Sequence, residues 1–126
     1  MTDEVRVRHL DGDRFAVDVR GHTMLVYVQL PAPDRLKAIM AAWNSLAPGG
    51  ILLVVAHHTD NLTDGVGGPQ DANVLYSARD VIADLGAIDC SARLERTERA
   101  ARPVAGNDRP ALDTVFRARK LGGPDA

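Results

Sequence analysis

Six consecutive apolar residues, Ile51 to Ala56, lie between a Pro-Gly-Gly turn and a loop rich in histidine, polar residues and glycine. A run this short cannot cross a bilayer; bounded by turn residues, it reads as a strand buried on both faces. Ahead of it, Leu36, Ile39, Met40 and Trp43 recur at three- and four-residue spacing and predict a helix with one apolar stripe. Pro48-Gly49-Gly50 is expected to stop that helix, with glycine taking the left-handed cap. Met24 to Val28 is a second continuous apolar stretch, ended by Pro31 and Pro33. Strand, helix and strand in that order predict a right-handed parallel crossover. In such a sheet ligands bind just beyond the carboxyl ends of the strands, which is where His57, His58, Asp60 and Asn61 fall.

The flanking segments have other textures. Val5 to Arg8 and Phe15 to Arg20 alternate apolar with polar residues around Asp11-Gly12-Asp13, the pattern of a β-hairpin with one dry face. After the Gly-rich loop, Ser77 is a good N-cap with Asp80 three residues on. Val81, Ile82 and Leu85 form an apolar stripe that Gly86 is expected to end. Ile88 to Val104 reads as a long, partly exposed strand, Gly106-Asn107-Asp108 as a turn and Ala111 to Arg119 as a final strand pairing antiparallel with it. The expectation is one α/β domain, a Rossmann-like three-layer sandwich. Its mixed sheet has parallel strands at the centre, an antiparallel C-terminal strand pair and an N-terminal hairpin capping one edge. Residues 1–23 form the hairpin segment, 24–120 the main body and 121–126 a frayed tail.

Composition narrows the function classes. The formal net charge is −2 and aromatics are 4% of 126 residues, so neither a polyanion-binding surface nor a stacking platform for single strands is expected. With no apolar signal core at the start and one cysteine, Cys90, the expectation is a cytoplasmic chain without an internal disulfide, away from membranes and nucleic acid.

His57, His58 and Asp60 at the end of a buried strand admit three readings: structural or solvated groups, pocket-lining acid-base groups, or metal ligands. Neighbouring residues on a strand point to opposite faces, so the two histidines are not expected to share one ion, and no metal site is assigned. Tyr27 and Gln29 end the preceding strand and would lie beside His57 if the strands run parallel; Tyr27 serves equally as core packing. Gly65, Gly67 and Gly68 read as an anion cradle, a lid or a plain connection.

YVQLPAPDR (Tyr27 to Arg35), LAPGGILLVVAHH (Leu46 to His58), NLTDGVGGPQD (Asn61 to Asp71), VLYSARDVIADL (Val74 to Leu85) and ALDTVFRARK (Ala111 to Lys120) together resemble the C-terminal half of a class I SAM-dependent methyltransferase. The resemblance is to the small bacterial enzymes of the tellurite- and thiopurine-type branch. It implies S-adenosylmethionine as cofactor and methyl transfer to a small nucleophilic acceptor. Tyr27, Gln29, His57, His58 and Asn61 would then line the cofactor and acceptor pocket. That family holds its cofactor on a Gly-rich loop after the first strand and an acidic residue ending the second; neither is found here. Gly65-Val66-Gly67-Gly68 follows a long loop instead of a strand. The chain therefore reads as half of a site, and a bare parallel edge predicts a homodimer through the hairpin side.

VRHLDGDRFAVDVRGHT (Val7 to Thr23) resembles the opening hairpin of OsmC-like thiol peroxidases. Three functions follow in order: a methyltransferase-like protein, possible as a truncated form; a non-catalytic remnant or protein-interaction module; and an OsmC-like peroxidase dependent on Cys90.

Overall fold

The computed structural model describes the backbone of residues 5–11, 14–19 and 23–26, and both backbone and side chains of 24–26, 29–89 and 91–121. Two antiparallel strands, β1 (Val5–Asp11) and β2 (Arg14–Val19), pair from Val5 opposite Val19 to Asp11 opposite Arg14, with a register shift between His9 and Asp11. They form a two-stranded sheet of their own. The main sheet has four strands in the order β3 (Thr23–Val26), β4 (Ile51–His57), β6 (Ala111–Arg119), β5 (Arg93–Arg102). β3 runs parallel to β4, whereas β6 is antiparallel to both of its neighbours.

The α/β class, the mixed sheet, the parallel crossover and the hairpin are all present, and two placements differ from expectation. The parallel pair stands at one side of the sheet, because β6 inserts between β4 and β5. Burial explains the choice: β6 is buried at alternate positions and suits an interior place, while β5 is charged and exposed and suits an edge, where charge discourages further pairing. The second difference concerns the layers. Helix α1 (Ala32–Asn44) packs against β3 and against helix α3 (Ala78–Ile88), and α3 packs against β5 and β6. Both helices therefore cover one face. On that face Leu52, Val54, Phe116 and Ala118 join Ile39, Trp43, Val81 and Leu85 in a single buried cluster. The opposite face is left uncovered by α1 and α3, and Ile51, Leu53 and Val55 are only partly buried there.

Local chemistry sets the helix ends. α1 starts after Pro31 with Pro33 in its first turn, where a missing N–H is harmless. It stops at Ser45 in right-handed geometry, before the predicted glycine cap; Gly49, at φ +86°, serves the following turn instead. The end of the helix is closed from afar: Lys120 Nζ donates to the carbonyl of Trp43 in its last turn (3.0 Å) and to that of Leu46 just beyond it (2.9 Å). The buried stripe of α1 is also rotated from the predicted one. Arg35, Ile39, Ala42 and Trp43 are inside and Met40 is 41% exposed. Arg35 is tolerated inside because Asp84 on α3 receives its Nε at 2.6 Å and its Nη2 at 3.3 Å, while the guanidinium lies over the Tyr76 ring. Ser77 and Asp80 form the predicted reciprocal capping box on α3. That helix passes through Gly86 to Ile88, whose side chain packs on the core and repays a weak helix former.

Candidate functional site

Past its last residue β4 delivers the chain into a tight connection: a single helical turn α2 (Asn61–Asp64), the glycines 65–68, and a 3-10 turn at Ala72–Val74. Gln29, just beyond β3, joins the two ends of that connection. Its Oε1 accepts from the His57 N–H at 2.5 Å and its Nε2 donates to the Val74 carbonyl at 2.6 Å. The parallel register of β3 and β4 brings Gln29 to His57 as expected. Its amide is committed to the backbone, however, so it shapes the site rather than presenting a free polar head. Tyr27 and Cys90 lie outside the described residues.

The two histidines diverge. His57 sits opposite Asp113 on β6, on the face away from α1 and α3, with Nδ1 3.8 Å from Asp113 Oδ1; each side chain is 13% exposed. At that distance there is no hydrogen bond, and Nδ1 is sealed from solvent without a partner. Leaving such a nitrogen unsatisfied costs about 1–3 kcal/mol. Asp113 also receives Arg102 Nε at 2.8 Å, which fixes its carboxylate. His58 turns the other way. Its Nδ1 accepts from the Asp60 N–H at 2.9 Å, which places its proton on Nε2. Burial pushes the His58 imidazole below the usual histidine range; the Asp60 carboxylate opposes this and Arg99 adds to it. Asp60 in turn receives Arg99 Nη1 at 2.7 Å. His58, Asp60 and Arg99, with Ser77, Arg79 and Glu98, line a cleft of about 440 Å³ between the end of β4, the start of α3 and β5. Among the described residues no group of three or more His, Cys, Asp or Glu could hold a metal ion.

Asn61 is 1% exposed and wholly occupied: its Nδ2 donates to the Gly67 carbonyl (3.0 Å) and its Oδ1 accepts from the Leu112 N–H (2.8 Å). It locks the loop to β6. A Cβ on Gly65 would collide with that amide, so glycine is required there by close approach. Gly68 is constrained twice, by φ +71° and because a Cβ would lie 2.8–2.9 Å from Cε1, Nδ1 and Nε2 of His57 alike. Near-equal distances to three ring atoms put Gly68 over the face of the imidazole. Asp113 and Arg102, from the paired C-terminal strands, were not singled out from sequence. Their signal was the antiparallel register, which sets Asp113 opposite the residue ending β4.

No family profile matches the sequence, and no curated protein does. Among solved structures, the chain is similar to a SAM-dependent methyltransferase from Methanosarcina mazei, with a TM-score of 0.54 at 14% identity. The match covers 79% of this chain and 58% of that one. The chain therefore has a methyltransferase-like fold and spans little more than half of that protein's length.

Fit to S-adenosylmethionine can be tested on the glycines. A cofactor cradle needs glycines whose missing Cβ leaves room for a ligand. Gly65 and Gly68 are filled by Asn61 and His57 instead, and of these three loop glycines Gly67 has open space around it. The described residues of this chain do not by themselves fit the cofactor.

Proposed function

We propose that this chain is a methyltransferase-like protein with its ligand site at the carboxyl ends of β3 and β4, where it takes a small nucleophilic acceptor. The cofactor-binding remainder of such a site comes from outside the described residues, most simply from a second copy paired through the hairpin side. The observation that carries this reading is the gathering of Gln29, His57 and Asp113 at one strand end. Support also comes from the likeness to a SAM-dependent methyltransferase of which the chain spans 58%. The edge of β3 away from β4 has no ladder partner among the described residues, which suits pairing with another chain.

The test is calorimetric titration of S-adenosylmethionine and S-adenosylhomocysteine across protein concentrations, with sedimentation velocity alongside. Binding that appears together with a dimer supports the reading. A monomer that binds neither compound at any concentration sinks it, and leaves a non-catalytic interaction module built on the same fold. The glycines filled by the chain's own side chains favour that second reading. An OsmC-like peroxidase activity would require peroxide turnover that disappears in Cys90→Ser.

A further inference from the structure

We infer that His57 and Asp113 form a proton-accepting pair. In it Asp113 holds the His57 proton on Nδ1 and leaves Nε2 as the acceptor for a small protic ligand, a thiol or an alcohol. This rests on reading the carboxyl end of β4 as a ligand site, and it adds the ligand's chemistry: the ligand must bring an X–H bond to His57.

Buried polar groups are nearly always paired, so a sealed imidazole nitrogen without a partner calls for a reason. Its nearest acidic atom is Asp113 Oδ1 at 3.8 Å, a gap that a shift of about 1 Å turns into a hydrogen bond. Hydrogen bonds of this kind are often long in a free site and tighten when a ligand arrives. A carboxylate can only accept, so the nitrogen facing it is the one that carries the proton. With Nδ1 protonated, the lone pair of neutral His57 is on Nε2. Nδ1 alone is sealed without a partner, so Nε2 is the ring nitrogen left open.

Three contacts hold the imidazole in this pose and are otherwise unrelated. Gly68 lies over the ring face with no room for a side chain. Gln29 accepts the backbone N–H of the same residue. Arg102, through Nε and Nη2, grips the Asp113 carboxylate from the far side. Glycine and amide come from separate segments and converge on the histidine, while the arginine fixes the carboxylate beside it, the support expected of side chains whose orientation matters. His58 offers an internal contrast. Its Nδ1 is occupied by the Asp60 N–H, so it presents a donor where His57 presents an acceptor.

The chemistry balances without further parts. The ligand's X–H bond is shared with, and then broken toward, Nε2; the electron pair stays on X, the proton stays on Nε2, and Asp113 stabilises the resulting imidazolium. Asp113 is a positioning residue, since it acts through the ring.

Histidine-selective long-range 15N–1H spectra of the full chain test the pairing directly, without cofactor or substrate. The expected result at neutral pH is a His57 signal protonated at Nδ1 and bare at Nε2, opposite to His58. In Asp113→Ala the His57 proton should move to Nε2, while His58 and the dispersed backbone amides stay in place. Gly68→Ala should disturb the His57 signals with Asp113 intact, which keeps the test open if the first variant does not fold. A His57 proton on Nε2 in the parent chain, or one unmoved by loss of Asp113, overturns the pairing. The ligand class is then read by titrating 2-mercaptoethanol and ethanol. A saturable shift confined to His57 Nε2 and absent in His57→Gln supports a protic ligand, and no shift with either probe overturns it. Because these spectra need no S-adenosylmethionine, failure of the pair and failure of the methyltransferase reading are separately visible.

Discussion

The two faces of the sheet are built from the same strands and obey different rules. On the helix-covered face, Leu52, Val54 and Ala56 of β4 meet Thr114, Phe116 and Ala118 of β6, all at 1% exposure or less. The buried Thr114 hydroxyl there donates to the Tyr76 carbonyl at 2.6 Å, so it is paired inside the layer. The other face alternates with it. Ile51, Leu53 and Val55 stand half-buried beside Arg119, Arg117 and Val115, and His57 with its unpaired nitrogen lies at the end of the row. One face is built to be stable and the other is left with polar groups to use. A strand that reads as uniformly apolar thus serves two surfaces, and only the register with its neighbours shows which residue belongs to which.

The largest expected effect breaks the dry face. Phe116→Ala leaves a cavity under both helices and should cost about 3–5 kcal/mol in urea denaturation, whereas Val115→Ala, one residue along on the other face, should cost about 1 kcal/mol or less. Equal losses at the two positions would mean that the second face is as tightly covered as the first. Next comes the tie between the loop and β6. Asn61→Ala strands the buried Leu112 N–H, an expected loss of about 1–3 kcal/mol, while the carbonyl of exposed Gly67 can turn to water. Hydrogen exchange should show the opening at Leu112 first.

The pH dependence is smaller and has a definite sign. Folding lowers the His58 proton affinity, mainly by burial, so the unfolded chain takes up a proton more readily. The stability held by neutral His58 is therefore complete above the ordinary histidine range near about 6.5, and is lost as pH falls through the lower folded value. His58→Asn, which keeps an acceptor near the Asp60 N–H, should flatten the decline of the melting temperature below that range. An unchanged slope would assign the decline to other groups. The smallest effect lies on the rim of the open face. Glu95 receives Arg119 Nε at 3.0 Å and Arg117 Nε at 2.9 Å, contacts that hold its carboxyl below the usual range while it remains exposed. Glu95→Gln should lower the melting temperature slightly in low salt and not at all near 1 M salt, where the Debye length is about 3 Å.

Much of the frame could be read without coordinates because local signals agreed with one another. The Ser77–Asp80 capping box, the apolar run at 51–56 and the final strand at 111–119 all stand where the sequence puts them. What escaped depends on partners distant in the chain. Arg35 stands outside the predicted apolar stripe, and Asp84, 49 positions later, gives it a carboxylate inside the fold. Asn61 looked like a pocket residue by its place after β4, and its amide turned out to be spent on the backbone of Gly67 and Leu112. Asp113 carried no motif at all, and its meaning comes from facing His57 across an antiparallel ladder. Periodicity reports what a segment does for itself; the site is made by what segments do for each other.

The place of β6 has a consequence for the order in which the molecule is made. Among the described residues it is the last strand in order, yet it fills the space between β4 and β5, and its end ties back to the turn before β4: the Gly49 N–H donates to the Lys120 carbonyl at 2.7 Å and the Lys120 N–H to that of Gly50 at 2.8 Å. As the chain leaves the ribosome, β3, α1 and β4 emerge before β6, with one long edge of β4 bare and apolar. No pairing among the earlier strands can substitute, because β5 reaches β4 only through β6. A nascent chain paused before residue 111 would therefore carry that apolar edge of β4 without its native partner.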